Sequence, residues 1–292
     1  MRRHSRGRNV WPRVLVTASL GLTTHRILMF PPNAQGRVNL TSADAARLKP
    51  EGLLNDSLIE FCLKLWLQDL KERAPDLAEQ VHIFSPFFYK LLNKNDRNDG
   101  FQCVRRWTSK CDLFAKKYVV VPINENMHWY LAVIYEPEHA LLPPPTHPIS
   151  EDLSPMKRGP GEPPSGSTRL SVAPDRTTYI FLMDSLGRKH TRTAGVLEGY
   201  LMAEARDKKG VNPTSQVQTK SLNVSVPTQP NLCDCGLYVL HFVDEFVCNA
   251  QNLIRSDFVK FPFQSAFPSL TGRPGDRQPN SKQREAGAVA RL

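Results

Sequence analysis

The sequence predicts an α+β fold, in which a small mixed sheet is flanked by helices. Three runs rich in β-branched and aromatic residues, 118–123, 128–136 and 178–185, predict strands. Runs with helical spacing of apolar residues stand before and after them, at 53–75 and 236–250. Because each of these patterns leaves an apolar face, helices packed on a common sheet are the expected arrangement.

The first helical run carries its own start and stop signals. Asn55, Asp56 and Ser57 are candidates for its N-cap, and Glu60 would complete a Ser-x-x-Glu capping box. Apolar residues then fall on one face until Pro75, which ends the run. The sequence therefore predicts a helix of several turns with one buried face.

The strand-like runs are nearly continuous in apolar residues, which predicts a sheet covered on both faces. The link at 124–127 has hairpin length, so the first two strands are expected to pair antiparallel. The mixed run at 81–92 predicts a further short helix. Residues 137–176 contain ten prolines and little apolar periodicity, which predicts a disordered insertion. Closing this loop instead of a five-residue one costs about 1.8 kcal/mol, at about 0.6 per doubling, so strands two and three can remain neighbours.

The formal net charge of +10 is concentrated at the two ends of the chain. Residues 1–43 hold seven Lys or Arg and no acid, residues 273–292 carry a net charge of +3, and residues 44–272 sum to zero. Domains that bind nucleic acid usually carry their basic excess on the folded body. The distribution predicts no more than weak contact with nucleic acid, made through the basic ends.

We predict one domain at 25–255, between basic, disordered segments at 1–24 and 256–292. No run of about 18 or more apolar residues occurs in the sequence, so no membrane segment is expected. Six cysteines in 292 residues do not make a disulfide scaffold and indicate reduced thiols inside the cell.

Two cysteines, Cys233 and Cys235, stand one residue apart just before the last helical run. Zinc sites usually separate paired thiolates by roughly two to four residues and need a second pair, so no metal site is expected. A buried core thiol is the commonest role of a cysteine. At a helix N-terminus, however, the pKa of a thiol can fall from about 8.5 to between about 3.5 and 7.5. Gly236, which follows Cys235, removes a Cβ where a substrate carbonyl would approach.

A nucleophilic thiol needs a base and a group that orients the base. His128 opens the second strand run, and Asp184 ends the third. If those strands are neighbours, the two side chains lie at one end of the sheet. Gln229, six residues before the second cysteine, could offer its amide to a developing oxyanion. From the residues alone, a structural histidine and a turn-forming aspartate remain alternatives.

These residues, with their surroundings, resemble the SUMO-specific (ubiquitin-like-protein-specific) cysteine proteases. The resemblance lies in the segments LLNDSLIEF, RRWTSKCDLFAKKYVVVPINENMHWYLAVIY, FLMDSLG and QPNLCDCGLYVLHFVDEF. It extends from about residue 27 to 255 and is interrupted by the Pro-rich insertion. In having such an insertion, the chain resembles the branch of the family that trims SUMO chains. It implies a papain-like α+β protease domain that needs no cofactor.

The resemblance implies a role for each catalytic candidate. His128 would be the general base, Asp184 its orienting carboxylate, Cys235 the nucleophile, and Gln229 a donor in the oxyanion hole.

The resemblance also implies substrate contacts. Trp129 would roof a narrow channel for a Gly-Gly tail, and Leu53 stands where the family often has an aromatic wall, so the channel would be looser. Trp107 and Asp56 match positions that contact the surface of the modifier. From the residues alone, a core tryptophan and an N-cap aspartate remain alternatives for these last two.

The expected function is hydrolysis after the C-terminal Gly-Gly of SUMO, which frees SUMO from target lysines or from SUMO chains. The expected partners are SUMO and SUMO-conjugated proteins, the expected state is a monomer, and the family suggests the nucleus, with the cytoplasm as an alternative. Three other functions stay open: a protease for another modifier such as NEDD8, a catalytically silent SUMO-binding module, and a basic protein associated with nucleic acid.

Overall fold

The structure is a computed structural model that describes residues 25–32, 36–94, 97–141, 177–211 and 219–254. The predictions of disorder at 1–24, at 142–176 and at 256–292 therefore lie outside the described residues.

The described residues form a five-stranded sheet, a separate two-stranded sheet, and helices around them. The strands are β1 Arg26–Phe30, β2 Val38–Thr41, β3 Val81–Ile83, β4 Tyr118–Glu125, β5 His128–Tyr135, β6 Thr178–Met183 and β7 Thr219–Val224. The helices are α1 Ser42–Ala46, α2 Asp56–Arg73, α3 Pro75–Glu79, α4 Phe87–Leu92, α5 Arg97–Val104, α6 Thr191–Lys209 and α7 Cys235–Ile254, with 3-10 helices at Leu113–Ala115 and Pro137–Leu141.

The larger sheet has the strand order β3–β4–β5–β6–β7, and it is mixed as the sequence predicts. The two inner pairs, β4–β5 and β5–β6, are antiparallel, whereas the outer pairs β3–β4 and β6–β7 are parallel. The predicted hairpin and the predicted pairing of the second and third strands are both confirmed. Asn126 and Met127 close the hairpin with φ of 53° and 59°, the left-handed pair that a type I′ turn requires.

The sheet is covered on both faces, again as predicted. Successive residues of β5 alternate between two apolar layers: Leu131 packs with α2 and α7, and Tyr130 packs with α4 and α6. On the first face, the indole of Trp66 in α2 donates to Asp244 Oδ1 in α7 at 2.7 Å. This bond joins the two helices that cover the same face.

The start of α2 differs from the prediction. Asn55 is the N-cap, and its side-chain oxygen accepts from the backbone N–H of Leu58 at 3.1 Å. The predicted capping box from Ser57 to Glu60 is wrong, because Ser57 already lies inside the helix. Glu60 instead pairs with Lys64 at 2.6 Å, one turn further along α2.

Two other segments also differ from the sequence interpretation. The run at 81–92 is not one helix, since its first three residues pair with β4 as the edge strand β3 and only Phe87–Leu92 is helical. Pairing with a neighbouring strand overrides the local pattern there. The predicted disorder from residue 137 is wrong for Pro137–Leu141, which form a 3-10 helix with buried apolar side chains. Within the described ranges, no helix has the length and apolar character needed to cross a membrane.

Candidate active site

His128 and Asp184 meet at one end of two neighbouring strands. His128 is the first residue of β5, and Asp184 directly follows the last residue of β6. Because β5 and β6 are antiparallel, with Leu131 opposite Met183, the start of one strand lies beside the end of the other. The imidazole Nε2 of His128 donates to Asp184 Oδ1 at 2.8 Å, and both side chains are buried.

Cys235 is brought to this pair by helix α7, of which it is the first residue. Its side chain hydrogen-bonds the imidazole of His128, whose Nε2 is bonded to Asp184. The backbone N–H groups of Trp129 and Gly236 also favour the thiolate. Cys235 is only 1% exposed, so the sulfur is largely withdrawn from water.

The protonation of the three groups is shifted in a consistent pattern. Burial alone would lower the pKa of His128, but its hydrogen bonds to Asp184 and Cys235 outweigh burial and raise the pKa to about 9. Burial would raise the pKa of Cys235, yet the hydrogen bond from His128 brings it below its ordinary value. Burial likewise opposes ionisation of Asp184, but the hydrogen bonds it accepts, first that from His128, hold its pKa well below the usual range. All three shifts favour a thiolate beside an imidazolium.

The neighbouring cysteine is not part of this cluster. Cys233 lies in the loop before α7, where its Sγ is 3.3 Å from Asn231 Oδ1. The same amide oxygen accepts from the backbone N–H groups of Cys233 and Asp234, both at 3.0 Å. Across the described part of the chain, no group of three or more His, Cys, Asp or Glu is placed to hold a metal ion.

Gln229 is fixed beside the carboxylate end of the cluster. Its Oε1 accepts from the hydroxyl of Ser185 at 2.6 Å, and its Nε2 donates to the carbonyl of Asn231 at 2.6 Å. Its backbone N–H donates to the carbonyl of Ser185 at 3.0 Å. An amide nitrogen carries two hydrogens, so one remains for another acceptor. A chain of hydrogen bonds therefore holds the amide next to the residue that follows Asp184.

Trp129 connects the cluster with the segment before α2. The indole N–H donates to the carbonyl of Leu54 at 2.8 Å, and the ring is buried. Leu54 also lies close to Gly236, since a Cβ added to Gly236 would stand 3.0 Å from the Cβ of Leu54. Leu53, its neighbour, is half-buried. The structure thus brings Trp129 and the segment with Leu53 together next to the start of α7.

The two remaining predicted contacts are Asp56 and Trp107. Asp56 is the first residue of α2 and lines a cavity of about 420 Å³, together with Tyr89 and Glu125. Trp107 packs against Phe88, with ring centroids 5.8 Å apart, in the apolar layer on the α4 and α6 face. Trp129 belongs to the opposite layer, so the sheet separates the two tryptophans.

Sequence reasoning missed one member of the site, His190. Its Nε2 lies 2.6 Å from Asp184 Oδ2, while Oδ1 also accepts from the backbone N–H of Leu186 at 2.6 Å. The chain returns to the carboxylate through a turn that includes Gly187 at φ 70°. A histidine six residues after the aspartate, with a glycine between them, was the available signal.

Thiol hydrolases activate a sulfur through such a series of thiol, imidazole and carboxylate, and the site and the fold together define a domain of the cysteine-protease class. The chain belongs to the Ulp1 protease family, since the model of that family's C-terminal catalytic domain matches residues 53–267.

Curated relatives agree with this membership. The chain is 35% identical over 237 residues to Ubiquitin-like-specific protease 2 of Schizosaccharomyces pombe. The alignment covers 80% of this chain and 37% of the relative. It is 31% identical over 263 residues to Sentrin-specific protease 7 of Homo sapiens, covering 77% of this chain and 25% of the relative. The chain therefore spans well under half the length of these relatives.

Solved structures resemble the fold. One, described as the crystal structure of the de-sumoylating protease, aligns with a TM-score of 0.60 and 28% identity, over 78% of this chain and 74% of that one. Another, the SUMO protease Ulp1 with its catalytic cysteine oxidized to a sulfinic acid, aligns with a TM-score of 0.50 and 21% identity, over 87% and 83% of the two chains. The second shows a likeness of fold alone.

Proposed function

We propose that this protein is a thiol protease that hydrolyses the bond after the C-terminal Gly-Gly of SUMO and so releases SUMO from lysines of target proteins or of SUMO chains. The observation that carries the proposal is the series from Cys235 through His128 to Asp184, with its coupled pKa shifts. In this role Cys235 is the nucleophile, His128 the general base and acid, and Asp184 the group that orients the imidazole.

The proposed reaction proceeds in two stages. The thiolate of Cys235 attacks the carbonyl carbon of the last glycine, and the resulting oxyanion accepts hydrogen bonds from the backbone N–H of Cys235 and the remaining N–H of Gln229. The imidazolium of His128 then donates its proton to the departing lysine amine, which leaves a thioester. A water molecule that gives its proton to His128 attacks this thioester and frees the carboxylate of SUMO together with the thiol.

The substrate is proposed from the relatives and from the shape of the site. The relatives are named as ubiquitin-like-specific and sentrin-specific proteases, and a structure of similar fold is described as de-sumoylating. Trp129 and Leu53 are proposed to enclose the Gly-Gly tail beside Gly236, where bulk is already excluded. A passage that admits only residues without side chains selects a di-glycine end by rejecting larger residues.

The surface of SUMO is proposed to contact Asp56, which lines the cavity of about 420 Å³. Trp107 is proposed as a second contact through its half-buried edge.

Labelling with electrophilic modifiers tests the proposal. The purified protein is incubated separately with SUMO and with NEDD8, each carrying an electrophile at its C-terminus. Covalent adducts are detected by mass spectrometry. We expect a SUMO adduct with wild type and with the matched control Cys233→Ser, and none with Cys235→Ser. An adduct with NEDD8 alone would refute the choice of modifier. A wild type that binds SUMO without forming an adduct would instead favour a silent binding module.

We also propose that the protein acts in the nucleus, on the support of the basic excess at residues 1–43 and 273–292. Imaging of a fluorescent fusion in cells tests this. Exclusion of the full chain from nuclei would refute it.

A further inference from the structure

His190 binds the side of Asp184 that the catalytic histidine does not use. The Nε2 atom of His190 lies 2.6 Å from Oδ2, whereas His128 bonds Oδ1. A carboxylate only accepts hydrogen bonds, so Nε2 of His190 must carry the hydrogen in this contact. The side chain of His190 is 14% exposed, so water competes little for the bond.

The ring of His190 is held in place from two sides. It stacks on Tyr130, with centroids 3.7 Å apart and an angle of 8° between the ring planes. The hydroxyl of Tyr130 is in turn bonded to Glu125 at 2.6 Å and to Thr193 at 2.9 Å. The backbone N–H of His190 donates to Asn223 Oδ1 at 2.9 Å, which ties the turn to strand β7. The imidazole is therefore presented to the carboxylate in a fixed orientation.

The side chain of His190 does not cap helix α6. His190 occupies the N-cap position of α6, yet among the described residues its side chain makes no hydrogen bond to the first turn of that helix. Side chains at this position commonly bond the exposed N–H groups of the helix start. The imidazole is committed to Asp184 instead.

We propose that His190 is a positioning residue for the reaction, which fixes the plane of the Asp184 carboxylate so that Oδ1 faces His128. This inference rests on the proposed function. His128 and the backbone N–H of Leu186 both bond Oδ1, so His190 is the donor that holds Oδ2. With a donor on each oxygen the plane is fixed, and the imidazole of His128 stays aligned with the thiol of Cys235.

Two substitutions separate the hydrogen bond from the stacking. His190→Phe keeps a ring on Tyr130 but removes the donor, and His190→Gln returns an N–H near the place of Nε2. The matched control is His139→Gln, because His139 also faces a carboxylate, that of Glu136 at 3.5 Å, and its side chain is 16% exposed. Wild type and variants are compared by kcat and KM on SUMO that carries a fluorogenic amide at its last glycine.

We expect His190→Phe to lower kcat about tenfold with little change in KM, as for loss of one hydrogen bond to a charged group. His190→Gln should recover kcat to within about threefold of wild type, because the donor is restored. His139→Gln should behave as wild type. A merely structural role would lower the thermal unfolding midpoint of both His190 variants together and would not give recovery of kcat by Gln alone.

Several outcomes would overturn the inference: an unchanged kcat in His190→Phe, equal losses with Phe and Gln, or a loss confined to KM. If the Phe variant does not fold, His190→Asn replaces it, since its amide is one methylene shorter than that of Gln and falls short of Oδ2. Equal kcat for Asn and Gln then refutes the inference. A wild type that cleaves no SUMO substrate overturns the proposed function and this inference with it, whereas normal cleavage by wild type and by His190→Phe overturns the inference alone.

Discussion

Asp184→Asn is the substitution that most directly separates charge from geometry in this site. The carboxylate accepts three hydrogen bonds, from His128 and Leu186 at Oδ1 and from His190 at Oδ2. An asparagine has a single acceptor oxygen, which can serve the two donors at Oδ1. Its NH₂ takes the place of Oδ2 and donates to Nε2 of His190, whose hydrogen then lies on Nδ1. The imidazole of His128 then keeps a partner of the same shape but loses the negative charge beside it.

The size of the effect follows from the pKa of His128. The rise from the ordinary 6.5 to about 9 corresponds to about 3 kcal/mol in favour of the imidazolium, at about 1.36 kcal/mol per pH unit. A hydrogen bond to a charged group contributes about 1.5–3 kcal/mol, so we expect loss of the Asp184 charge to cost about 2 kcal/mol, which predicts about a thirtyfold loss of kcat/KM. Because partners that raise a pKa stabilise the protonated form, removing one lowers the pKa of His128 by about 1.5.

The assay is kcat/KM for the fluorogenic SUMO substrate between pH 5 and about 10. In wild type the alkaline limb, where His128 loses its proton, should lie near pH 9. In Asp184→Asn it should move to about pH 7.5, by the same 2 kcal/mol at about 1.36 per pH unit. Asp207→Asn, which alters a partly buried carboxylate paired with Arg105, is the matched control and should leave the limb in place. An alkaline limb that stays near pH 9 in Asp184→Asn, or a loss of less than about threefold, would refute the reasoning.

Two stability predictions concern the face of the sheet that α2 and α7 cover. Gly236→Ala should lower the free energy of unfolding by about 1 kcal/mol, because the added Cβ would stand 3.0 Å from Leu54 Cβ and overpacking costs more than the gain in helix propensity. Urea denaturation measures this free energy, and a Gly236→Ala variant as stable as wild type or more stable would contradict the close approach of Gly236 to Leu54. Asp244→Ala should cost about 2 kcal/mol, since it leaves the buried indole N–H of Trp66 without its acceptor. The control Asp69→Ala breaks only a partly exposed ion pair within α2 and should cost about 0–1 kcal/mol; equal losses for the two would contradict the role of the indole bond.

The central strands could be predicted because their local signals agree with their tertiary surroundings. The runs that became β4, β5 and β6 are almost wholly apolar. Every residue of β5 is buried, as are all but two residues of β4 and all but one of β6. His128 and Asp184 could be paired from the sequence because each stands at the end of such a run. The start of α7 at Cys235 was equally visible, since the glycine and the apolar spacing that follow it are local.

Other elements were invisible because only tertiary contacts stabilise them. Helix α6 contains Gly195 and Gly199, which lower helix propensity, and it is held by the burial of Leu197 and Leu201 against the sheet. Strand β7 has mostly exposed and polar side chains, so its ladder with β6 defines it more than any pattern does. The contact of His190 with Asp184 depends on how the turn at Gly187 folds back, and residue types alone do not report that geometry.

The antiparallel pair of β5 and β6 has a consequence for how this chain tolerates change. His128 and Asp184 stand at one end of the pair, and Tyr135 lies opposite Tyr179 at the other, from which the chain departs to the segment between Leu141 and Thr177. Seven residue steps along β5, at about 3.4 Å each, put about 24 Å between those ends. The two strands thus separate the catalytic residues from the connection between β5 and β6. A segment inserted at the end with Tyr135 and Tyr179 can therefore change in length or acquire new binding partners, while His128 and Asp184 stay aligned at the other end.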